Sequence, residues 1–372
     1  MRKGWEYKKL GEVCDVINGY AFKSSKYTSQ GTRIIRITNV QKGYVVDNDP
    51  KFYSDEDFKD LFQYSLFEGD LVMSLTGNVG RVGILQKNML PAALNQRVAC
   101  LRVKSKKMQL NYLFHLLNSN LFENAAIQSA RGIAQLNMST EWLKNYIIPL
   151  PPLSTQLAIV SELDKINELI RLKKEQLKDF DNLAQSLFYE MFGDPVENEK
   201  GWEVKKLGEI CEIFAGGDKP KDMCEIQNNE YIYPVIANGE GEKGILGYTK
   251  NCRVTKEAVT IGARGASIGN CRIVKNGFTP AIRLLTLIPT GSIDCCFLYY
   301  FVKDLNYKQN GAGQAQLTVP NIKCEFIPLP PLSLQRLFAQ RIEQIEREKS
   351  EVQKSIQDLE TLLASRMQYW FE

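Results

Sequence analysis

Histidine is almost absent from the sequence, since His115 is the only one among 372 residues. That count excludes zinc sites of the His-Glu-x-x-His type and any metal centre with two histidine ligands. His115 lies in the apolar run Tyr112-Leu113-Phe114-His115-Leu116-Leu117. The run predicts a helix in which this histidine is a half-buried structural residue.

Cysteine pairs of the C-x-x-C type are also lacking, although nine cysteines occur. This predicts free, mostly buried thiols in a reducing compartment, ahead of a metal site or disulfides. No apolar run approaches the roughly 20 residues of a membrane span, and the opening residues lack the apolar stretch of a signal peptide. We therefore predict a cytoplasmic protein with no membrane association.

An internal repeat is present. Residues 3–14 recur at 200–211 with ten of twelve positions identical, and the junction at 148–154, Ile-Pro-Leu-Pro-Pro-Leu-Ser, recurs at 327–333. The ends of each repeat match closely, whereas the interiors differ. This contrast predicts two modules that do the same job on two different targets.

A long helix is predicted after each Pro-Pro pair. Apolar residues step by three and four over residues 153–192 and 332–371, the spacing of a coiled-coil seam, with Lys173, Lys349 and Arg366 as its breaks. At about 1.5 Å per residue, a helix of some 40 residues reaches roughly 60 Å. If the second helix packs on the first it runs back along it, so the pair is predicted to be an antiparallel coiled coil with an approximate two-fold axis.

Charge is distributed unevenly along the chain. The net charge is +4, but residues 154–192 carry −2 and residues 332–372 carry −1. The remaining segments therefore hold +7 between them. Basic globular segments on slightly acidic helices favour an anionic partner for the globular segments.

The globular segments mix strand and helix patterns. In the first, strands are predicted at residues 31–40, 71–75, 94–103 and 146–148, and helices after Ser54 and over 110–126. In the second, strands are predicted at 259–261 and 282–288 and a helix from 294 to about 306. Glycine-rich loops at 76–83 and 262–269 and polar loops at 131–137 and 309–317 complete the pattern.

These features resemble the specificity subunit of type I restriction-modification systems over essentially the whole chain. The resemblance is carried by the Gly-Trp-x-x-x-x-Leu-Gly opening of each repeat, the Ile-Pro-Leu-Pro-Pro-Leu-x-x-Gln junctions, the long helices and the two-unit order. One departure is that Thr155 and Leu334 precede the junction glutamines, where the family often has Glu.

The resemblance implies an α+β fold with two similar globular target-recognition domains, joined by two long helices in an antiparallel, pseudo-two-fold coiled coil. The implied boundaries are 1–151 for the first recognition domain, 152–192 for the central spacer helix, 193–330 for the second domain and 331–372 for the C-terminal spacer helix.

The resemblance also implies a DNA-binding subunit without catalytic activity. Each recognition domain would read one half of a bipartite, gapped site in double-stranded DNA, and the helices would dock two modification (methyltransferase) subunits, with restriction/translocase subunits joining through the complex. No cofactor is expected in this chain. S-adenosylmethionine would belong to the methyltransferase, and ATP and Mg to the translocase.

The sequence also lacks the signatures of the reactions themselves. Neither Asn-Pro-Pro nor Asp-Pro-Pro occurs, one of which a DNA adenine methyltransferase needs, and residues 239–244 have the wrong spacing for a Walker A loop. Glu6-Tyr7-Lys8 and Glu203-Val204-Lys205 match only half of a nuclease motif. Methylation and cleavage are therefore expected from partner subunits.

Basic and amide residues in or near glycine-rich loops are the predicted DNA contacts. Glycine lets a backbone approach phosphates, arginine can pair with guanine, and asparagine or glutamine with adenine. The predicted contacts are Lys23, Asn78, Arg81, Gln96, Arg97, Arg131, Gln135, Lys219, Lys221, Asn238, Arg264, Arg283, Gln314 and Gln316. Each could instead be a solvated loop residue.

Two other functions remain open at this point. One is the specificity subunit of a fused restriction-methyltransferase (type IIB-like) system, where one other polypeptide supplies both cutting and methylation. The other is a coiled-coil scaffold with no role on DNA, against which steeply salt-dependent DNA binding would argue.

Overall fold

A computed structural model describes residues 2, 4–130, 136–239, 244–305 and 317–371. The chain forms two compact units: the first comprises Met1–Lys174 with Ser355–Glu372, and the second comprises Glu175–Lys354. Each unit therefore combines one globular segment with portions of both long helices. Within the described residues, no helix is both long and apolar enough to cross a membrane.

The first unit contains mainly antiparallel sheets. Its strands are β1 (Glu6–Lys9), β2 (Cys14–Asn18), β3 (Thr32–Ile35), β4 (Val40–Gln41), β5 (Tyr44–Val45), β6 (Phe52–Tyr53), β7 (Ser65–Leu66), β8 (Leu71–Ser74), β9 (Val82–Ile84), β10 (Ala92–Leu94), β11 (Val98–Val103) and β12 (Ile147–Leu150). Its short helices are α1 (Leu10–Val13), α2 (Asp55–Phe58), α3 (Leu110–Leu117), α4 (Asn120–Ser129) and α5 (Thr140–Asn145).

Two four-stranded sheets organise this unit, in the orders β2-β11-β8-β9 and β6-β3-β10-β7. All four residues of β8 are buried, as expected for an apolar run in a central strand. Helices α3 and α4 cover the first sheet through Tyr112, Leu113 and Phe122, each with no exposed surface. The β1–β12 ribbon joins the two ends of the globular segment.

Three predicted elements of this unit are interrupted. The strand predicted at 94–103 ends at Leu94 and resumes at Val98, because the Val98 amide bonds the Asn95 carbonyl at 2.9 Å and closes a turn. The helix predicted at 110–126 breaks where Ser119 caps α4 by accepting from the Phe122 amide. The strand predicted at 31–40 ends at Ile35, and a turn precedes β4.

The second unit repeats this plan. Its strands are β13 (Glu203–Lys206), β14 (Cys211–Ala215), β15 (Tyr233–Ile236), β16 (Ile245–Thr249), β17 (Ala258–Ile261), β18 (Cys271–Val274), β19 (Thr279–Pro280), β20 (Leu285–Pro289) and β21 (Phe326–Leu329), and its short helices are α7 (Leu207–Ile210), α8 (Cys295–Asp304) and α9 (Val319–Lys323). The sheet β14-β20-β17-β18 corresponds to β2-β11-β8-β9. The strand predicted at 282–288 begins only at Leu285, because Ile282 and Arg283 have left-handed backbone angles.

The two long helices have the predicted bounds. They are α6 (Leu153–Phe192) and α10 (Leu332–Phe371), which crosses α6 in the opposite direction within each unit. In the first unit, Glu162 pairs with Arg366 and Lys174 with Glu360. The pairing is antiparallel, because the partner's number falls as the residue number on α6 rises.

The second unit shows the same direction. Asp181 on α6 pairs with Lys349 on α10 at 2.8 Å, and Phe188 further along α6 packs on Phe338, an earlier residue of α10. The predicted coiled coil is thus confirmed as antiparallel. Two seam breaks, Lys349 and Arg366, form ion pairs across the helix pair.

One buried glutamine ties each long helix to the globular segment before it. Gln156 has no exposed surface; its Oε1 accepts from the Gln109 amide at 2.8 Å, and its Nε2 donates to the carbonyls of Lys107 and Pro151, each at 2.8 Å.

Gln335 repeats all three bonds in the second unit. Its Oε1 accepts from the Asp294 amide at 2.8 Å, and its Nε2 donates to the carbonyls of Pro330 at 2.8 Å and Ser292 at 3.4 Å. The junction glutamine of the sequence motif is therefore a structural clamp.

Replacing Gln335 by Leu should destabilise the second unit by about 3 kcal/mol, because buried backbone groups would lose their partners at about 1–3 kcal/mol each. Urea denaturation measures this loss. Gln344→Leu, on the exposed side of the same helix, is the control and should change stability by less than about 0.5 kcal/mol. Equal stabilities of the two variants would contradict the clamp.

His115 is expected to make the stability of the first unit depend on pH. It is 4% exposed, hence more buried than predicted, and its Nε2 lies 2.7 Å from Asp164 Oδ1. Burial lowers the pKa of His115, and the bond to Asp164 only partly opposes this. Below an ordinary pKa of about 6.5 the unfolded chain therefore binds a proton more readily than the folded one, so stability should fall as pH drops from about 6.5.

The replacement His115→Gln should remove the part of this dependence that lies between about pH 6.5 and the lowered folded pKa. Denaturant unfolding at stepped pH measures it. Asp164→Asn should steepen the dependence, because the neighbouring charge that favours the imidazolium is lost. An unchanged pH profile in His115→Gln would show that other groups cause it.

Candidate nucleic-acid interface

Three loops meet at one end of the sheet β2-β11-β8-β9 in the first unit. The turn between β10 and β11 bonds to the segment after β2 through the Gln96 amide and the Tyr20 carbonyl, 2.8 Å apart. It also bonds to the end of β8, where the Leu75 amide donates to the Arg97 carbonyl at 3.0 Å. Residues from three separate stretches of sequence thus lie together at this end of the sheet, here named the sheet edge.

The segment before α5 joins the same edge. The Gly77 amide donates to the Leu136 carbonyl at 2.9 Å, and Thr76 Oγ1 donates to Asn137 Oδ1 at 2.8 Å. The glycine-rich loop and the end of the polar loop are therefore hydrogen-bonded neighbours, although Thr76 and Asn137 are 61 residues apart in sequence.

The second unit builds a matching edge. The Ile282 amide donates to the Gly217 carbonyl at 2.7 Å, and the Leu317 amide donates to the Ala263 carbonyl at 2.9 Å. Asn238 joins two of these loops: its Nδ2 donates to the Ile282 carbonyl at 2.6 Å and its Oδ1 accepts from the Ala263 amide at 2.7 Å. Both bonding functions of this amide are thereby engaged with backbone.

A glycine permits the close approach of the turn in each unit. A Cβ on Gly19 would lie 2.1 Å from the Asn95 carbonyl oxygen, and one on Gly216 would lie 2.7 Å from the Ala281 backbone nitrogen. Only glycine allows such contacts without displacing the turn.

The predicted DNA-contacting residues of the first unit occupy different environments. Lys23, Asn78, Gln96 and Arg97 are exposed, and the last three lie on the loops that meet at the sheet edge. Arg81 is half-buried and donates from Nη1 to Gln41 Oε1 at 2.8 Å. The predictions Arg131 and Gln135 lie outside the described residues.

In the second unit, Lys219, Lys221, Arg264 and Arg283 are exposed. Asn238, Arg264 and Arg283 are brought together, since Asn238 bonds to the neighbours of both arginines. The predictions Gln314 and Gln316 lie outside the described residues. Contact of any of these side chains with DNA stays a prediction.

Ion pairing distinguishes the cations of the globular segments. Arg102 binds Asp70 through two bonds of 2.8 and 2.6 Å, which raise the pKa of Arg102. Lys104 pairs with Asp15 at 2.9 Å. Arg97 and Arg283, by contrast, form no ion pair with a described residue. No described carboxylate therefore neutralises these two charges.

Arg253 was not among the predicted DNA contacts, although its side chain lies beside the same loops. Its guanidinium lies 5.1 Å from the centre of the Phe214 ring, and a Cβ on Gly217 would be 3.5 Å from its Nη1. No glycine-rich loop surrounds Arg253 in sequence, and the pairing of Val254 with Phe278 brings it to this edge. No group of His, Cys, Asp and Glu in the described parts of either unit could hold a metal ion.

Comparison with known proteins gives a consistent result. The family model described as "Type I restriction modification DNA specificity domain" matches residues 2–179 and 199–361. A putative type I specificity subunit of Mycoplasma pneumoniae is 27% identical over 263 residues, which cover 64% of this chain and 73% of the relative. The putative type I restriction enzyme MjaX specificity subunit of Methanocaldococcus jannaschii is 24% identical over 405 residues, covering 96% and 92%.

Two solved structures share the fold. The type I restriction-modification S subunit from M. genitalium superposes with a TM-score of 0.55 at 16% identity, covering 98% of this chain and 95% of that one. A chain solved in work on complex assembly and conformational transition of the type I R-M system gives 0.63 at 22% identity, covering 100% and 98%. At these identities the likeness shows the fold alone.

The close approach of the turn to Gly216 leads to a measurable prediction. Gly216→Ala should destabilise the second unit by about 1–3 kcal/mol, because the added methyl group overlaps the backbone of Ala281. Thermal or urea unfolding tests this. Gly291→Ala is the matched control, since nothing lies within 4 Å of its Cβ position, and should be nearly neutral. A neutral Gly216→Ala would mean that the turn is free to shift.

Proposed function

The chain belongs to the family of type I restriction-modification DNA specificity domains, and we propose that it is the non-catalytic subunit that gives such a complex its DNA sequence specificity. The observation that carries the proposal is the repeated sheet edge. In each unit, separate loops converge on an exposed arginine that has no ion pair within the described structure. Exposed, unpaired cations on a loop edge fit the phosphates and base edges of DNA.

Each unit is proposed to read a different half of a bipartite, gapped site. The plan of the edge is the same in both units, but the turn is Asn95-Gln96-Arg97 in one and Ala281-Ile282-Arg283 in the other. Different side chains on one backbone plan would select different bases. The recognition domains would span 1–151 and 193–330, with spacer helices at 152–192 and 331–372.

The exposed members of the predicted set are the proposed DNA contacts: Lys23, Asn78, Gln96, Arg97, Lys219, Lys221, Arg264 and Arg283. Arg81 and Asn238 already bond within the protein, so their contribution would be to support the loops. Arg253 joins the proposal because its guanidinium lies beside the same edge.

The helices are proposed to dock two methyltransferase subunits. Leu157, Leu169 and Leu172 on α6 are 55%, 47% and 46% exposed, and a partner subunit docked on this helix would cover them. S-adenosylmethionine would be bound by those partners, and ATP and Mg by a restriction/translocase subunit. The complex would act in the cytoplasm.

The fused restriction-methyltransferase system and the DNA-independent scaffold are less well supported. The matching relatives are named as type I specificity subunits, and a pure scaffold gives no role to the exposed arginines at the two sheet edges. The neighbouring genes discriminate the first alternative, since only the type I system needs a translocase.

The proposal that each recognition domain reads its own half-site can be tested by replacing loops of this chain. The variant is assayed in complex with a modification subunit. Replacing residues 311–316 with the loop of another specificity subunit should change the methylated sequence in one half-site only, because one recognition domain is altered. Methylation-sensitive sequencing measures the target. Replacing residues 131–135 is the reciprocal control and should change the other half-site. Both loop segments lie outside the described residues, and a change in both half-sites from either replacement would contradict the proposal.

A further inference from the structure

The turn before β11 in the first unit and the turn before β20 in the second correspond in two backbone hydrogen bonds. The Asn95 amide donates to the Ile35 carbonyl at 3.2 Å, and the Ala281 amide donates to the Ile236 carbonyl at 2.8 Å. This turn closes when Val98 bonds back to Asn95 at 2.9 Å, as Leu284 does to Ala281 at 3.1 Å. Residues 95–98 and 281–284 therefore occupy corresponding positions, although Ile282 and Arg283 have left-handed φ angles and Gln96 and Arg97 do not.

This equivalence places Arg97 and Arg283 at the same position. Both side chains are exposed, and neither forms an ion pair with any residue that the structure describes. No ion pair with a described residue therefore accounts for the identity of the two residues. An external group common to both half-sites accounts for it better than a base that one half-site alone contains.

The position before each arginine is also exposed but differs. It is Gln96 in the first unit and Ile282 in the second, where the isoleucine is 43% exposed. Ile282 has a φ of 51° and Arg283 a φ of 61°, left-handed angles that are costly for a β-branched residue. Asn238 and Gly217 bond to the carbonyl and amide of Ile282 and hold it there.

We propose that Arg97 and Arg283 bind DNA phosphates in both units, and that Gln96 and Ile282 read bases. Phosphates are identical in every sequence, so one residue type serves two half-sites. Glutamine can bond the N6/N7 edge of adenine, and an apolar side chain can contact the methyl group of thymine. The inference rests on the proposed function and assigns different roles to adjacent residues of its interface.

The test uses the complete complex and measures DNA affinity against salt concentration for cognate and unrelated duplexes. Arg97→Ala and Arg283→Ala should each weaken binding to both duplexes by roughly tenfold and lower the salt slope by about 0.9. The ratio of cognate to unrelated affinity should stay constant. The replacements Arg97→Lys and Arg283→Lys should restore most binding, because a phosphate accepts a point charge whereas bidentate pairing with guanine needs the guanidinium.

Gln96→Ala and Ile282→Gln should change the base preference rather than the salt dependence of binding. Each should leave the salt slope unchanged and alter the base preference at one position of one half-site. Lys106→Ala is the matched charge control, since Lys106 is exposed beyond the other end of β11, and should leave the slope unchanged. Unchanged thermal melting would confirm that the exposed substitutions do not unfold the chain.

Two results would overturn the assignment. If Arg→Ala collapses the cognate ratio and Arg→Lys fails to rescue it, the arginines read guanine; if neither affinity nor slope changes, they do not touch DNA. Both results leave the proposed function standing if the wild-type complex still selects a gapped site. Loss of selective binding by the wild-type complex itself would instead refute the proposed function.

Discussion

Each unit depends on one buried amide at the start of its long helix. Gln156 and Gln335 have no exposed surface, and each bonds three backbone groups, all of them outside the helix. A buried polar group that loses its partner carries a desolvation cost, so a shift of the helix against its segment would break several bonds together. The direction in which each helix leaves its globular segment is therefore fixed by one side chain.

The helix pair adds a second constraint through its charged seam positions. In the first unit, Arg366 forms a paired contact with Glu162, whose carboxylate also accepts from Trp370 Nε1 at 2.9 Å. In the second unit, Lys349 bonds Asp181. A leucine at these positions would pack in several registers, but an ion pair is satisfied in one. Two of the three breaks in the apolar pattern, Lys349 and Arg366, thus form ion pairs that favour this register, at a cost in apolar burial.

Sequence reasoning predicted what depends on periodicity and failed where distant contacts decide. Helix α6 has its predicted bounds because a strong seam is punctuated by Pro151-Pro152 and ended by Gly193. The turn at Gln96 was not predicted, because a few polar residues inside an apolar run still resemble a strand. Asn238 was predicted to contact DNA because an asparagine side chain can pair with adenine. Its amide can equally form hydrogen bonds with two backbone groups. Only the fold reveals those groups.

The duplication separates features required by the fold from those directed outward. Gly19 and Gly216 are equivalent and identical, but a Cβ at either would overlap the backbone of the turn, so their identity needs only packing. Arg97 and Arg283 are also identical, yet they are exposed and unpaired within the described structure, so packing does not explain them. Gln96 and Ile282 differ at corresponding positions of the two turns. DNA has a uniform phosphate backbone and a variable base sequence. Contact with such a partner would keep the arginine the same in both units and let the residue before it differ.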